Sequence, residues 1–305
     1  NAISIKVLPQ DQTSGNSGNN GGGSASSSRS QAAGSRISAN DLFITATASK
    51  TTVHEQEAIL LTYKVYTVVN LRQLYGKMPD LKGFHTQEVE LPQQKTFTLE
   101  HYKGRNYNTT VWSQYVLFPQ QTGKLEIPSI TFDGVVAQQT ISDDPFDAFF
   151  NGGGYVEVKK KITTPKVVIN VQLLPAKPAG FSGAVGEFKL ASSINATDVK
   201  TNDAVTIKLT LSGTGNMKLI GTPEVKFPQD FEIYDPKVTD DYKLTNSGLT
   251  GTKTFEYLAI PRHAGNFTIP AIEFTYFDLK SNSYKTLKTE AYNLKVAKGQ
   301  GNADQ

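Results

Sequence analysis

The chain has 305 residues, its 31 Lys and Arg side chains nearly balance its 28 Asp and Glu side chains, and it contains no cysteine. Because the charges are interspersed, we expect no basic face of the kind that binds nucleic acid. The lack of cysteine excludes disulfides, thiolate zinc sites and cysteine nucleophiles. No run of about 18 apolar residues is present, so no segment of this sequence is predicted to span a membrane.

The N-terminal part of the sequence contains one predicted strand and one predicted linker. Residues 2–9 alternate apolar and polar side chains, and the same alternation recurs at 168–175. We therefore interpret residues 1–9 as the closing strand of a preceding, truncated module. Residues 10–36 are almost entirely Gly, Ser, Asn and Gln, which predicts a flexible linker because they have little apolar surface to bury.

A repeated pattern defines two complete β-modules, which we predict at 37–175 and 183–298. Segments 115–132 and 257–274 match without a gap at their Tyr, Pro, Gly, Ile-Pro, Ile and Phe positions. In each segment, alternating apolar residues flank a turn that runs from Pro to Gly. The Ile-Pro step then interrupts the strand, since Pro cannot donate to a ladder. Each copy is therefore predicted to be two antiparallel strands, a turn and a corner.

The fronts of the two modules match as well, because 53–65 and 199–211 carry the same alternation of apolar residues. In the second module we predict strands at 188–195 and 204–212. Each module has about six to eight short predicted strands separated by turn signals, with scarcely any helical periodicity. We predict an all-β fold of tandem immunoglobulin-like or fibronectin-like β-sandwich modules. They are joined by a short linker at 176–182 and followed by a polar tail at 299–305.

An insertion at 136–156 distinguishes the first module from the second. Pro145 favours the start of a single helical turn, in which three Phe side chains spaced three and four residues apart would share one face. The insertion is either a hydrophobic flap on its own sandwich or a docking element, since exposed aromatic clusters mark interfaces. Calcium would need more oxygen ligands than its aspartates supply, so we predict no metal site. The candidate partner-binding residues are Asp143, Asp144, Phe146, Asp147, Phe149 and Phe150.

No catalytic constellation is evident, and we expect a non-catalytic protein without a cofactor. No two of His54, His85, His101 and His263 have metal-ligand spacing, and hydrolase and metalloprotease motifs are missing. An enzyme stays a minor hypothesis, because the distant carboxylates of a β-sandwich glycosidase would leave no motif. The alternative function is a carbohydrate- or peptidoglycan-binding module. Such a module needs exposed Trp or Tyr, whereas the single tryptophan, Trp112, is expected to face the core.

The succession of these motifs resembles the BatD family, the exported oxygen-tolerance (aerotolerance) proteins of Bacteroidetes and other bacteria. The similarity extends over roughly residues 1–298, and its motifs are structural rather than catalytic. The residues that carry it are Ala58 to Tyr63, Tyr115 to Pro119, Gly123 to Pro128, Asp144 to Phe150, Phe227 to Pro236, Gly265 to Phe274 and Phe277-Asp278.

The resemblance implies a non-catalytic periplasmic scaffold in a membrane-associated stress complex. The full-length protein is then expected to carry a signal peptide and an inner-membrane anchor, both outside this sequence, while this fragment is soluble. Relatives are encoded beside von Willebrand factor A-type membrane proteins and a MoxR-type AAA+ ATPase, which makes these the expected direct and indirect partners. Asp143, Asp144 or Asp147 would reach the metal site of the von Willebrand A-type partner, with the insertion's phenylalanines packed beside it.

Overall fold

A computed structural model of the chain describes residues 37–139 and 154–299, together with the backbone of the strand Ser4–Lys6. Within these residues the regular structure is β-strand, apart from a 3-10 helix at Met217–Leu219. The predicted all-β class of tandem sandwiches is therefore confirmed. The predicted linker at 10–36 lies outside the described residues, as do most of the insertion and the tail beyond Gly299.

Within the described residues, twelve strands precede residue 173. They are β1 (Ser4–Lys6), β2 (Leu42–Ala48), β3 (Thr52–His54), β4 (Ile59–Thr67), β5 (Asn70–Tyr75), β6 (Phe84–Glu88), β7 (Thr98–Tyr102), β8 (Arg105–Pro119), β9 (Gly123–Ile127), β10 (Thr131–Gln139), β11 (Tyr155–Thr163) and β12 (Val167–Gln172). They form sheets with the strand orders β2-β4-β8-β6, where β7 also pairs with β8, β1-β5-β10-β11 and β3-β12-β9.

Ten strands follow. They are β13 (Phe181–Ile194), β14 (Asp198–Lys200), β15 (Val205–Gly215), β16 (Phe231–Ile233), β17 (Lys237–Thr245), β18 (Gly248–Pro261), β19 (Gly265–Ile269), β20 (Glu273–Asp278), β21 (Ser283–Lys288) and β22 (Tyr292–Ala297). They form a large sheet of order β16-β18-β15-β13-β20-β21, with β17 on β18, and a small sheet of order β14-β22-β19.

The contacts within the chain group it into two compact units with interleaved ranges. The first unit comprises Asn1–Thr51, Leu60–Tyr115 and Lys124–Asn170, and the second comprises Thr52–Ile59, Val116–Gly123 and Val171–Gln305. Strand β1 pairs antiparallel with β5 of the first unit, with Ser4 opposite Tyr75. The predicted module bounds, and the assignment of residues 1–9 to a preceding module, stay predictions.

Alternation of apolar residues places the core of each unit where the sequence predicts it. Along β4, Leu61, Tyr63 and Val65 are fully buried, and along β15 Ile207 and Leu209 are fully buried. Because successive side chains of a strand point to opposite faces, this pattern commits one face of each strand to the sandwich interior. The largest fully buried side chains of the second unit are phenylalanines, namely Phe118, Phe255, Phe274 and Phe277.

Two glycines in the second unit allow β15 to approach β13 closely and β18 to approach β17 closely. Gly213 in β15 lies opposite Gly251 in β18, and their φ angles are +153° and +150°. A Cβ atom on Gly213 would lie 2.0 Å from the Glu187 carbonyl oxygen, and one on Gly251 would lie 2.3 Å from the Asp241 carbonyl oxygen. Only glycine fits such positions without displacing a neighbouring strand.

The turn between β20 and β21 is fixed by the carboxylate of Asp278, which is 2% exposed. Its Oδ2 accepts bonds from Lys285 Nζ at 2.8 Å and Ser281 Oγ at 2.7 Å. Burial alone would raise the pKa of this carboxyl group. The bonds from Lys285, Ser281 and the Lys280 amide outweigh burial and lower the pKa from 3.8 to about 2.

We expect Asp278→Asn to destabilise the chain by about 2 kcal/mol at pH 7. A lowered folded-state pKa gives a stabilising contribution that is present above pH 4 and lost as the pH falls through about 2. As the pH falls from 4 to about 2, the free energy of unfolding of the variant should therefore decrease less than that of the wild type. Urea unfolding across this range measures the difference, and replacement of the exposed Asp235 by Asn is the control. Equal pH dependence of Asp278→Asn and wild type would contradict the assignment.

Candidate interaction sites

The predicted partner-binding insertion joins the two ends of a regular hairpin. Strands β10 and β11 pair without interruption from Thr131 opposite Thr163 to Gln139 opposite Tyr155. Residues 140–154 therefore link the last residue of β10, Gln139, to the first residue of β11, Tyr155. Tyr155 is 65% exposed. The six predicted site residues lie outside the described residues: Asp143, Asp144, Phe146, Asp147, Phe149 and Phe150.

The corresponding hairpin of the second unit has no such insertion. Asp278 of β20 pairs with Ser283 of β21, and residues 279–282 alone form the turn. The two units thus share the hairpin but differ in what connects its strands. A sandwich of this type closes with a short turn, so the longer connection in the first unit is not required by the fold.

A second candidate site is an aromatic cluster in the first unit, formed by Phe43, Tyr66, Tyr102 and Tyr107. Phe43 lies directly opposite Tyr66 across β2 and β4, and their rings stack with centroids 4.9 Å apart. The ring centroids of Tyr102 and Tyr66 are 4.7 Å apart. The Tyr107 ring meets the Phe43 ring edge-on, with their centroids 5.3 Å apart. Tyr66 lies on the opposite face of β4 from Tyr63 and Val65, because successive side chains of a strand alternate between faces. Tyr66 and Tyr107 are nevertheless buried at 6% exposure each, while Phe43 and Tyr102 are partly exposed.

Three cations surround this cluster. Lys64 Nζ lies 5.4 Å from the centroid of the Tyr66 ring, and Lys103 Nζ lies 5.3 Å from that of Tyr102. Arg105 Cζ lies 5.6 Å from the centroid of the Tyr107 ring. Such contacts between a cation and an aromatic face are attractive. The aromatic cluster therefore combines apolar rings with nearby positive charges.

Two carboxylates neutralise two of these cations. Glu100 binds Lys64 and accepts a bond from Thr109 Oγ1 at 3.1 Å, and the bond from Lys64 lowers the pKa of Glu100. Asp41 lies 3.0 Å from Arg105. Within the described residues Lys103 has no ion-pair partner, so one positive charge of the cluster is left without a neutralising carboxylate.

Short backbone turns hold the aromatic cluster in place. Tyr102 pairs with Arg105, and the intervening Lys103 and Gly104 have φ angles of 47° and 82°. Two successive positive φ values define the tight two-residue hairpin turn that matches strand twist. The Tyr107 hydroxyl also donates to the Asn40 carbonyl oxygen at 3.0 Å. The cluster is thus preorganised around an open pocket of about 680 Å³.

The second unit lacks this aromatic cluster at corresponding positions. Phe43 lies opposite Tyr66 in the ladder of β2 and β4. At the corresponding place in the ladder of β13 and β15, Lys189 lies opposite Ser212. At the turn of the β17–β18 hairpin, Thr245 and Thr250 replace Tyr102 and Tyr107, and their hydroxyls lie 3.1 Å apart. Since the second unit forms its sandwich without these rings, the fold does not account for them.

The described residues contain neither a metal-binding cluster nor a membrane-spanning helix. Across residues 37–139 and 154–299, no three His, Asp or Glu side chains gather closely enough to hold a metal ion. In the same ranges no helix has the length and apolar character needed to cross a bilayer. Trp112 is 7% exposed, and the Lys95 ammonium lies 5.8 Å from its ring.

The fold and these surfaces define a tandem β-sandwich protein whose first unit carries a hairpin insertion and an aromatic cluster that its second unit lacks. The chain belongs to the BatD family. The domain described as BatD DUF11 like matches residues 46–171 and 192–296. The resemblance inferred from the sequence motifs is therefore confirmed.

Other comparisons give only distant similarity. No curated protein matches the chain significantly. The adhesin InvE of Yersinia pseudotuberculosis is 12% identical with a TM-score of 0.22, over 84% of this chain and 59% of that one. The type II cohesin dyad of the scaffoldin ScaA from Acetivibrio cellulolyticus is 9% identical with a TM-score of 0.20, over 74% and 87%. The N-terminal periplasmic domain of ScsB from Proteus mirabilis is 12% identical with a TM-score of 0.18, over 83% and 92%.

Proposed function

We propose that this chain is a non-catalytic periplasmic scaffold that binds proteins of a membrane-associated stress (aerotolerance) complex. The observation that carries the proposal is the insertion at the tip of the β10–β11 hairpin, which has no counterpart in the β20–β21 hairpin. A segment at a hairpin tip can reach a partner without disturbing the sandwich below it. Loops on rigid scaffolds carry function disproportionately often.

The chemistry of the insertion suits a partner that holds a divalent cation. The insertion has three aspartates at 143, 144 and 147 and three phenylalanines at 146, 149 and 150. A carboxylate from one protein can complete the coordination of a cation held by another, and the aromatic side chains would exclude water around that contact. We infer that the direct partner is a von Willebrand factor A-type membrane protein, through which a MoxR-type AAA+ ATPase is engaged indirectly. The full-length protein would be held at the inner membrane.

Replacement of residues 143–150 by Gly and Ser is expected to lower capture of the von Willebrand A-type partner at least tenfold. The reason is that both the carboxylate and the desolvated aromatic contact would be lost. A pull-down with the purified partner measures the effect. Chelation of divalent cations should lower capture of the wild type to a similar extent.

Two partial variants separate the contribution of the carboxylates from that of the phenylalanines, and each serves as the control for the other. Asp143, Asp144 and Asp147 are replaced by Asn in one, and Phe146, Phe149 and Phe150 by Ala in the other. Thermal unfolding of each variant tests the competing interpretation, a hydrophobic flap on its own sandwich. Unchanged capture together with a lower unfolding temperature would favour the flap and overturn the docking role.

The alternative function, a carbohydrate- or peptidoglycan-binding module, has less support. Trp112, the single tryptophan, is buried and partly covered by Lys95, so it offers no platform for a sugar ring. The half-exposed Phe43 and Tyr102 of the aromatic cluster are the remaining candidates for such a platform. Co-sedimentation with insoluble peptidoglycan tests this alternative directly.

A further inference from the structure

We propose that the aromatic cluster and the open edge of β2 form a second docking site, which takes an extended acidic peptide segment of a partner protein. The peptide would add a strand beside β2, place a large apolar side chain among the rings and set a neighbouring carboxylate against Lys103. This site goes beyond the scaffold role assigned to the insertion, because it uses different residues and a different mode of binding.

The first observation is that β2 is an unpaired sheet edge, which β11 of the neighbouring sheet approaches without pairing with it. It lies at one end of its strand order, so among the described residues only β4 pairs with it. Its sequence, LFITATA, has no charge and no proline, and its register with β4 is unbroken from Leu42 opposite Thr67 to Ala48 opposite Leu61. Natural proteins usually protect such edges with charges, proline or bulges. The edge strand β11 follows that rule, since it carries Lys159, Lys160 and Lys161.

The second observation is the direction of the β2 backbone groups. The Val68 amide donates to the Asp41 carbonyl at 2.9 Å, and the Ser49 amide donates to the Leu60 carbonyl at 2.8 Å. In an antiparallel ladder the residues that bond to the neighbouring strand alternate with those that do not. The amides and carbonyls of Leu42, Ile44 and Ala46 therefore point away from β4 and towards the open edge, where an added strand would bond.

The third observation is that the pocket of the aromatic cluster lies along this same edge. Phe43, Ile44 and Thr45 of β2 line it together with Tyr102 and Tyr107. Thr163, the last residue of β11, and the nearby Pro165 line it as well. A strand added beside β2 would therefore present alternate side chains to the rings. Because the Lys103-Gly104 turn and the bond from Tyr107 to Asn40 already fix the cluster, little ordering would be needed on binding.

The charge of the site selects the class of peptide. Glu100 neutralises Lys64 and Asp41 neutralises Arg105, while Lys103 at the rim has no ion-pair partner within the described residues. A carboxylate on the peptide would therefore gain a charge-assisted bond, and a cation would be repelled. The site is accordingly matched to an acidic residue next to an aromatic or large aliphatic one.

The second unit gives an internal comparison. Where the first unit has Phe43 opposite Tyr66, the second has Lys189 opposite Ser212. The pairing of β13 with β20 ends at Gly186, so Lys189 lies where β13 pairs with β15 alone, and this stretch carries a charge. The second unit thus shows the same ladder with ordinary edge protection. The departure of the first unit from that pattern is what the docking site explains.

The test begins with a phage library of short linear peptides selected on the immobilised chain. We expect enrichment of sequences that place Asp or Glu beside Phe, Tyr or Leu. The strongest peptide is then synthesised, and its affinity is measured by fluorescence anisotropy. Deuterium exchange should show that the peptide protects the amides of Leu42, Ile44 and Ala46.

Two variants locate the binding site. In the first, Phe43→Lys, Tyr66→Ser, Tyr102→Thr and Tyr107→Thr introduce the residues of the second unit, and peptide affinity should fall at least tenfold. In the second, Lys103→Asn removes the charge while retaining an Asn-Gly pair that suits the turn, and affinity should fall about tenfold. The second variant keeps the test decisive if the first fails to fold.

Four results would overturn the docking site. They are no enrichment of peptides, enrichment of basic peptides, unchanged affinity in both variants, and protection that maps away from β2. Binding of soluble peptidoglycan fragments in place of peptides would also overturn it, and would support the carbohydrate alternative. Since no residue of 143–150 is changed, failure here is distinguishable from failure of the proposed scaffold role.

Discussion

Replacing Gly213 with alanine is expected to destabilise the second unit by about 3 kcal/mol or more. The φ angle of +153° is one that alanine adopts only with strain. The added Cβ would also lie 2.0 Å from the Glu187 carbonyl oxygen and 2.9 Å from the Phe188 Cα. Both of these are backbone atoms of β13, which pairs with β15 over nine consecutive residues, so neither can move without breaking ladder bonds.

Urea unfolding of Gly213→Ala and wild type measures this effect as a shift in midpoint at constant slope. Gly221→Ala is the matched control, because a Cβ at that position meets nothing within 4 Å and its φ angle is not positive. The control should unfold within about 0.5 kcal/mol of the wild type. If Gly213→Ala were equally stable, β13 and β15 would have to separate locally, and the close approach seen at this position would not be essential.

Gly213 also shows what the sequence could and could not predict about the fold. Alternation predicts a strand at 204–212, whereas β15 continues to Gly215 because it is held between β13 and β18. Similarly, alternation predicts a strand from Phe188, but β13 begins at Phe181, since its first part pairs in parallel with β20. Local periodicity thus identified strands, while their ends were set by partners distant in sequence.

Of the two candidate sites, the sequence predicts the insertion but not the aromatic cluster. The insertion could be found from the sequence because it interrupts a gapless repeat, so a comparison of the modules exposes it directly. The aromatic cluster draws on residues 43, 66, 102 and 107, which are adjacent only in the folded ladder. One signal was available before the structure: aligning 53–65 with 199–211 and extending it both ways sets Phe43 against Lys189 and Tyr66 against Ser212.

Replacing Asn216 with leucine is expected to cost about 3 kcal/mol, because it leaves backbone groups of β13 without partners. Asn216 is 1% exposed. Its Oδ1 accepts a bond from the Val185 amide at 2.8 Å, and its Nδ2 donates to the Gly183 carbonyl at 2.8 Å. Val185 is 1% exposed, so water cannot replace the lost acceptor. Urea unfolding at pH 7 measures the loss, and a change under 1 kcal/mol would contradict it.

Asn216→Asp separates the two hydrogen bonds through its pH dependence. The carboxylate still accepts from Val185, but it faces the Gly183 carbonyl oxygen, so burial and this repulsion should raise the folded-state pKa of Asp above its ordinary value of about 3.9. A raised pKa gives a contribution that is present at low pH and lost as the pH rises through the folded-state value. Relative to wild type at the same pH, the aspartate variant should therefore be less stable at pH 7 and recover towards pH 4, where the protonated carboxyl can donate to Gly183.

Asn216→Leu is the control and should show no such recovery, since leucine has no group to titrate. A parallel pH profile for both variants would mean that the bond to Gly183 contributes little, and that the Val185 amide alone makes this asparagine necessary.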